Sequence, residues 1–240
     1  MLNIKRIICV VLGGFMTAAA CGASLYFSKA VVNRETYPVM GVDVSRYQGE
    51  ISWQQLESQG VSFAFIKATE GSGHVDAYAR QNLENADCSD IPVSAYHFFS
   101  FDSPGESQAK NYISAVSRES IDLPPVVDIE YYGDKRKNKP SQAECSAILK
   151  PLLDRLEEFY GVKPIIYTTL EAYIRYIKDD FGDYPLWIRS VSFEPEFIDW
   201  DFWQYSCTGE LYGFIGEEKY IDLNVFNGTM DEFAARFGIR

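Results

Sequence analysis

The sequence is poor in positive charge, and this deficit narrows the classes of possible partner. Its 240 residues include 22 Lys and Arg against 34 Asp and Glu, which gives a formal net charge of −12. Nucleic-acid binding depends on clustered basic side chains that contact phosphates, so this balance argues against a nucleic-acid partner. The chain also lacks internal repeats, low-complexity tracts and any stretch of low hydrophobicity and high charge, which argues against disorder. With 47% hydrophobic residues, it is predicted to form one large domain and is expected to be a monomer.

Cysteine and histidine, with five and two residues, are too few and too scattered to suggest a metal site. The three cysteines outside the N-terminal apolar run are Cys88, Cys145 and Cys207. They show no CxxC spacing, at most one disulfide could join two of them, and the simpler interpretation is small buried side chains. His74 and His97 share no ligand spacing, and His97, within AYHFF, is interpreted as a hydrogen-bonded core residue. No metal and no cofactor is therefore expected.

Charge is also missing from the segment near the N-terminus. Two basic residues precede Ile7–Phe27, a run of 21 residues without a charge that is long enough to span a bilayer. The basic flank predicts that the N-terminus stays in the cytoplasm. The favoured interpretation is an uncleaved signal anchor; a signal peptide cleaved near Ala20 and a lipoprotein signal at Cys21 are the alternatives.

Each of these interpretations places the rest of the chain outside the cytoplasmic membrane. The sequence is accordingly divided into an anchor or signal over 1–27, a linker over 28–38 and a folded domain over 39–240. The expected location is the cell envelope, either tethered to the inner membrane and facing the periplasm or exterior, or secreted after cleavage.

Hydrophobic patterning in the folded domain predicts eight strands, with helices after the first five only. The predicted strands are 41–45, 61–71, 91–101, 124–132, 162–169, 184–191, 201–209 and 219–228. The predicted helices are 52–60, 76–87, 103–118, 141–161 and 170–182. Short apolar strands followed by helices indicate parallel βα units, and eight strands favour closure into a barrel. The fold class is therefore α/β, with a TIM-like barrel.

Two carboxylates end the fourth strand, in the stretch PPVVDIEYY. Asp128 and Glu130 are two residues apart, so they lie on the same face of the strand with Cα atoms about 6.6 Å apart. Catalytic groups in such barrels lie at the C-terminal ends of strands. Two close, half-buried carboxylates cannot both ionise at low cost, so the pKa of one rises and that group becomes a general acid. The alternative is a solvated strand end with no catalytic role.

Further acids favour the catalytic interpretation. Asp43 lies in the first strand, in GVDVS, and Asp222 lies in the last, in YIDLN. The first and last strands of a closed barrel are neighbours, so both side chains can reach the same mouth. Four acids among apolar residues are costly to bury without a purpose. A divalent cation site is the competing explanation, but no EF-hand-like loop accompanies the acids.

Aromatic residues also gather near the predicted strand ends. Aromatic rings stack on sugar rings, and amide tips such as that of Gln204 hydrogen-bond to sugar oxygens. A groove lined by acids and aromatics is typical of a glycosidase. The aromatics concerned are Tyr47, Tyr96, Phe98, Tyr131, Tyr167, Trp187, Trp203 and Tyr205.

Eight sequence blocks, in order, resemble those of the glycoside hydrolase family 25 lysozymes. They are DVSRYQG, FAFIKATEG, AYHFF, PPVVDIE, KPIIYT, PLWI, FWQYS and IDLNVFNG, and they span about residues 39–235. The resemblance implies a flattened (β/α)5(β)3 barrel. It also implies 1,4-β-N-acetylmuramidase activity on the glycan strands of peptidoglycan. Two blocks depart from the family pattern: Ser94 stands where Gly is frequent, and Arg189 and Val191 follow PLWI in place of a small residue and an aromatic.

Carried over by motif, the resemblance assigns roles to individual residues. Glu130 corresponds to the general acid and Asp128 to the assisting carboxylate, while Asp43 and Asp222 correspond to acids that shape the pocket. The residues implied to contact sugar are Tyr96, Tyr167, Trp187 and Gln204, and Tyr47 is a further candidate near a strand end. The substrate's own 2-acetamido group is hypothesised to attack the anomeric carbon, with net retention of configuration.

Two other functions are weighed against this one. A non-catalytic peptidoglycan-binding barrel is expected to lack one of the two acids in PPVVDIE, and both are present. A hydrolase of another amino-sugar polymer, such as chitin, shares the DxE pair, but the remaining blocks do not resemble that class. A muramidase that faces the cell wall is the favoured prediction.

Overall fold

The structure is a computed structural model that describes residues 30–239. Within that range eleven strands are present. They are β1 (Met40–Val44), β2 (Glu50–Ile51), β3 (Val61–Glu70), β4 (His74–Val75), β5 (Val93–Phe98), β6 (Val126–Ile129), β7 (Ile165–Thr169), β8 (Leu186–Arg189), β9 (Phe202–Gly209), β10 (Phe214–Ile215) and β11 (Ile221–Phe226).

The helices lie mainly between the earlier strands. They are α1 (Trp53–Glu57), α2 (Ala79–Ala86), α3 (Gly105–Ala115), α4 (Gln142–Tyr160), α5 (Leu170–Ala172, continued by a π-helical turn, Tyr173–Ile177) and α6 (Met230–Phe237). Two short 3₁₀ turns span Arg118–Ser120 and Gly133–Arg136. In the part of the chain that the structure describes, no helix has the length and apolar character needed to cross a bilayer.

Eight of the strands form a closed barrel. Their order is β1-β11-β9-β8-β7-β6-β5-β3, and the parallel pairing of β1 with β3 closes it. Only β11 runs antiparallel to its neighbours, β1 and β9, among the barrel strands of the described chain. All eight predicted strands and the five predicted helices are found, so the predicted TIM-like α/β barrel is confirmed.

The main helix of the fold begins and ends as its sequence predicts. Ser141 Oγ accepts a hydrogen bond from the Glu144 amide at 3.2 Å, and Glu144 Oε2 accepts one from the Ser141 amide at 2.8 Å. This reciprocal capping box satisfies two amide donors that the first turn leaves unpaired. Gly161 ends the helix in the left-handed conformation, at a φ of 78°, which glycine adopts without a steric penalty.

Helix α6, the short strand β4 and the small two-stranded sheet of β2 and β10 are absent from the sequence prediction, which places helices after the first five strands only. Helix α6 begins at a second capping box, formed by Thr229 and Glu232. It carries Phe233 onto the lower end of the barrel, where the ring contacts Phe63 and Phe226 at centroid distances of 5.7 and 5.3 Å. The helix therefore closes the floor of the barrel, at the end opposite to the C-termini of the parallel strands.

The barrel interior below the site is packed with aromatic side chains. Phe65 lies between Trp187, at 4.3 Å, and Phe202, at 5.2 Å between ring centroids. Gly41 makes room for this packing, because a Cβ there would lie 2.2 Å from the Phe63 ring. Val127 and Ile129 point outward into a separate core beneath the helices, as the alternation of β6 predicts. The inner core is thus a solid floor rather than a pore.

Within residues 30–239 no helix directly follows β8 or β9, and α6, which follows β11, packs against the floor instead of the outer face of these strands. The N-terminal strap, residues 30–39, covers this outer face together with the loop between β8 and β9. Tyr37 packs against Trp200 and Trp203, with ring centroids 5.5 and 6.2 Å away, and its hydroxyl donates to the Glu194 carboxylate. The strap therefore supplies the apolar cover that helices supply elsewhere on the barrel.

The strap begins beside the C-terminal end of β8. The Ala30 amide donates to the Val191 carbonyl at 3.0 Å, two residues beyond the end of the strand. Most of the predicted linker, 28–38, thus lies against the barrel, whereas the predicted anchor or signal, 1–27, is outside the described residues. Its interpretation stays a prediction.

The cysteines depart in part from the predicted set of three buried thiols. Cys145 is a buried free thiol, as predicted, but Cys88 is a free thiol on the surface. Cys207 is not among the free thiols of the described residues. No disulfide therefore joins two of the three predicted thiols.

Candidate active site

The candidate site lies at the mouth of the barrel, the end where its parallel strands finish. On the inner face of β6, Val126 belongs to the aromatic floor and Asp128 lies one level above it. Glu130 follows directly after the strand and points to the same side. On the opposite wall Asp43 of β1 pairs in register with Asp222 of β11. The prediction that the first and last strands bring these two acids together is confirmed.

The Asp43–Asp222 pair is held by buried amide side chains. Gln204 Nε2 donates to Asp43 Oδ2 at 2.8 Å and to Asp222 Oδ2 at 3.2 Å. Asn224 Nδ2 donates to Asp43 Oδ2 at 2.8 Å. These amides are oriented in turn, because Tyr167 donates to Gln204 Oε1 at 2.9 Å. The position of Asp43 Oδ2 is therefore fixed by a network of buried side chains.

The pKa values of both carboxyl groups in this pair are raised. Burial raises the pKa of Asp222 well above its usual range, and the adjacent charge of Asp43 raises it further. Burial also raises the pKa of Asp43, although hydrogen bonds from Asn224, Gln204 and Asp222 oppose that rise. Asp43 is thus the stronger acid of the two, as expected for two close carboxyl groups with unequal numbers of donors.

The Asp128–Glu130 pair is buried, but it has fewer hydrogen-bond donors around it than the Asp43–Asp222 pair. Each residue is 6% exposed. Burial raises the pKa of Asp128 well above its usual range, and the Glu130 charge raises it further. Burial also raises the pKa of Glu130, against the opposing charges of Arg189, Arg136 and Lys67. Asp128 Oδ1 has no hydrogen-bond partner among the described residues. The pair can therefore hold a proton at higher pH than free carboxyl groups do, and it offers an open acceptor atom.

Two cations stand among the four acids, and the sequence analysis gives neither a site role. Lys67 of β3 lies with its ammonium 3.0 Å from Glu70 Oε2 and 4.8 Å from the centre of the Phe98 ring. Arg189 ends β8 on the opposite side of the mouth. Lys67 comes two residues after Phe65, and Arg189 comes two residues after Trp187. Both aromatic rings lie inside the barrel, so strand alternation places the two cations inside it as well. This spacing is the signal that could have identified both cations.

Three residues predicted to contact sugar are instead buried beneath the acids. Tyr167, at 3% exposure, donates to Gln204, which is 1% exposed and donates in turn to the acid pair. Trp187, at 2% exposure, packs its ring against Phe65 and Tyr167, and its Nε1 donates to Asn224 Oδ1 at 2.8 Å. These side chains support the carboxylates from below.

Tyr96 and Tyr47 lie nearer the opening. Tyr96, half-buried on the inner face of β5, pairs in register with Lys67. Burial raises the pKa of Tyr96 well above its usual range, and the neighbouring charge of Asp43 adds to this rise. Tyr47 lies in the turn after β1, where Arg46 stacks 4.3 Å over its ring and donates to its hydroxyl at 2.9 Å.

Asn224 is a site residue that the sequence analysis misses. It is fully buried and joins Trp187 to Asp43 through its two amide atoms. Its position two residues after Asp222 in IDLN places both on the same strand face, which was the available signal.

His97 has no role at the mouth. Its Nδ1 lies 2.7 Å from Thr69 Oγ1 and its Nε2 lies 3.0 Å from Gln108 Oε1, on the outer side of β5. Burial lowers its pKa to about 4, so the imidazole is neutral. The prediction of a hydrogen-bonded core histidine is confirmed.

Comparison with known proteins decides the family. The model of glycosyl hydrolases family 25 matches residues 42–214. The chain belongs to this family. A family 25 glycosyl hydrolase from Bacillus anthracis has a structure that superposes with a TM-score of 0.80 and 46% identity, over 88% of this chain and 97% of that one. The predicted resemblance is confirmed, and the protein is a glycoside hydrolase.

Two further relatives extend the similarity across family 25. Lysozyme M1 of Streptomyces globisporus is 34% identical over 215 residues, which cover 81% of this chain and 70% of that protein. Protein YegX of Escherichia coli K12 is 34% identical over 208 residues, which cover 83% of this chain and 74% of that protein.

Proposed function

We propose that this family 25 enzyme is a 1,4-β-N-acetylmuramidase. It hydrolyses the β-1,4 bond between N-acetylmuramic acid and N-acetylglucosamine in the glycan strands of peptidoglycan. The observation that carries this proposal is the buried pair of Asp128 and Glu130 at the end of β6, opposite a second, hydrogen-bonded acid pair. The similarity to a protein named Lysozyme M1 supports the substrate.

Glu130 is proposed as the general acid. Its pKa is raised by burial, so it can carry a proton to the glycosidic oxygen as the C–O bond to the anomeric carbon breaks. In the second half of the reaction the Glu130 carboxylate takes a proton from the attacking water. Such a group must titrate near the working pH to act in both directions, and burial supplies the required rise in pKa.

Asp128 is proposed to hold the 2-acetamido group of the muramic acid residue. The Asp128 Oδ1 atom, buried and without a partner in residues 30–239, can accept a hydrogen bond from the acetamido N–H. That bond favours the ionised form of Asp128, so the proton shared by the pair resides on Glu130 when substrate is bound. The acetamido carbonyl oxygen then attacks the anomeric carbon, and ionised Asp128 stabilises the oxazolinium ion that forms.

The remaining side chains of the mouth divide into two proposed groups. Tyr96 and Tyr47 contact the sugar, because both lie near the opening and are not enclosed by the aromatic floor. Tyr167, Trp187 and Gln204 act through the acids that they support, since each is almost fully buried.

The test of the function is mass analysis of fragments released from purified sacculi. A muramidase releases disaccharide units with muramic acid at the reducing end. Reducing-end glucosamine would indicate a glucosaminidase, and free peptides without sugar cleavage would indicate an amidase or peptidase; either result overturns the proposal. NMR observation of the anomeric proton during turnover tests the attack by the acetamido group, which requires net retention.

The apolar segment Ile7–Phe27 is proposed to anchor a monomeric enzyme in the cytoplasmic membrane, with the barrel outside the cytoplasm. Its length and basic flank support this orientation. Membranes from cells that produce the full chain should retain it after alkaline carbonate extraction, and external protease should digest the barrel in spheroplasts. Release into the medium of a chain lacking residues 1–20 would show cleavage instead. Light scattering in detergent tests the monomer.

A further inference from the structure

Arg189 is positioned level with the proposed general acid across the wall of the barrel. In the register of β6 with β7, Ile129 pairs with Thr168, which places Glu130 level with Thr169. In the register of β7 with β8, Thr169 pairs with Arg189. Glu130 and Arg189 are thus two strands apart, about 10 Å between backbones at about 4.8 Å per strand, and both point inward. Two long side chains can meet above the intervening threonine.

The two cations of the mouth interact with different sets of acids. Lys67, on the β3 side, interacts electrostatically with Asp128 and Glu130. Arg189, on the β8 side, interacts with Glu130, Asp43 and Asp222. Glu130 is the acid that both cations reach, and Arg189 is the first of the three cations that oppose its rise in pKa. The Arg189 side chain is partly buried and its Nε atom is shielded from solvent, where an ionic interaction is screened less than at the surface.

We propose that Arg189 is a positioning residue that sets the acid strength of Glu130 and thereby the alkaline limit of hydrolysis. The proposal rests on the assignment of Glu130 as general acid. Before proton transfer the guanidinium faces a neutral carboxyl group; after transfer it faces a carboxylate. Its attraction is therefore stronger once the proton has left, and this difference favours protonation of the leaving oxygen.

The sign of the expected effect depends on every charged group that faces Glu130. The acids are Asp128 on its own strand, Asp43 on β1 and Asp222 on β11, and Tyr167 of β7 lies beside them. The cations are Lys67, Arg189 and Arg136, the last in the turn after β6. Removing the Arg189 charge leaves all three carboxyl groups and Tyr167 in place and takes away one cation. The proton of Glu130 is then held more tightly, so the fall in rate on the alkaline side moves to higher pH.

The test measures kcat/KM from pH 4 to 9 with the full chain in detergent and a soluble glycan fragment as substrate. The alkaline limb is the part of the pH profile where kcat/KM falls as the pH rises. In R189M, which keeps much of the side-chain length, the midpoint of this limb should move up by about 0.5 to 1 pH unit, and in R189Q by a similar amount. In R189K, which keeps the charge, the limb should stay close to that of the wild type. R80M, at an exposed arginine on α2, is the matched control and should not move the limb.

An unmoved limb in both R189M and R189Q, with a rate that falls equally at every pH, would show that Arg189 serves packing alone and would overturn the proposal. If R189M does not fold, as judged by circular dichroism, the comparison of R189Q with R189K carries the same test. Failure of the proposed function is separate: wild-type enzyme would then release no fragments with reducing-end muramic acid.

Discussion

The two acid pairs of the mouth are built differently, although both lie at the same end of one barrel. Asp43 accepts two amide hydrogen bonds on a single oxygen, and Asp222 accepts a third from the same glutamine. Asp128 has an oxygen with no donor in the described part of the chain. One pair is fixed by the fold, and the other is left with capacity for a ligand.

This difference separates a supporting role from a chemical one. A hydrogen-bonded carboxylate in a rigid network supplies a constant negative potential but cannot easily exchange protons or partners. A buried carboxyl group with an unmet acceptor costs free energy in the folded state and is retained where a substrate satisfies it. Variants of each pair test whether the two roles differ.

The largest effect is expected for Glu130→Gln. Glutamine keeps the size of the side chain but cannot donate a proton to the leaving oxygen, so kcat on glycan fragments should fall by about 10³-fold or more. Glu84→Gln on the exposed face of α2 is the control and should leave the rate unchanged. A Glu130→Gln enzyme with more than a tenth of the wild-type rate would remove this residue from the chemistry.

Asp128→Asn should lower kcat by about 10²-fold, less than the loss of the general acid. The asparagine amide cannot offer a negative charge to the acetamido group as it becomes an oxazolinium ion. The measurement is the hydrolysis rate of the same fragments, with affinity for the product measured separately. A selective loss of binding with kcat preserved would show that Asp128 only holds the substrate.

Asn224→Leu tests the fixed pair. It removes one donor from Asp43 and the acceptor of Trp187, so the free energy of unfolding should fall by about 2 to 4 kcal/mol and the rate by about tenfold. Urea unfolding and the fragment assay give the two values. The control is Asn138→Leu, at an exposed asparagine, which should change neither the free energy of unfolding nor the rate. An Asn224→Leu variant as stable as the wild type would show that the network around Asp43 is not needed to hold the fold.

The smallest effect is a change in the pH dependence of stability. Folded Asp128 keeps its proton to higher pH than the unfolded chain, whose Asp titrates near pH 4. Between those values the unfolded chain binds fewer protons, so this residue lowers stability as the pH rises. The free energy of unfolding of Asp128→Asn should therefore match the wild type near pH 4 and exceed it by about 1 to 2 kcal/mol at pH 7. A difference that is constant with pH would contradict a raised pKa.

The barrel was predictable because each strand carries its own local signal. The alternation of Val126 to Glu130 predicts which side chains enter the barrel. Closure of the barrel makes the first and last strands neighbours, and this alone predicts that Asp43 and Asp222 lie close together. The roles of Trp187 and Gln204 were not predictable in the same way. An aromatic or amide near a strand end is equally compatible with an open sugar contact and with a buried support, and only the packing of the whole interior distinguishes the two.

Other features were missed for reasons that can be stated. Asn224 is a neutral residue without chemistry of its own, and its importance comes from the partners that closure brings to it. Helix α6 is short, but its capping box, Thr229 and Glu232, was a readable signal. The strap over β8 and β9 has no periodic pattern, and its place on the barrel is fixed by Tyr37 and the two tryptophans that it covers.

The bond between Ala30 and Val191 has a practical consequence for handling the enzyme. The chain enters the domain at the rim through which polymer must pass, whereas α6 ends the domain beneath the aromatic floor. A bulky fusion joined directly at Ala30 would lie beside the mouth, while one joined after the last helix would lie beneath the floor, at the other end of the barrel. Attachment through the C-terminus is accordingly the choice that keeps a tag away from the mouth of the immobilised protein.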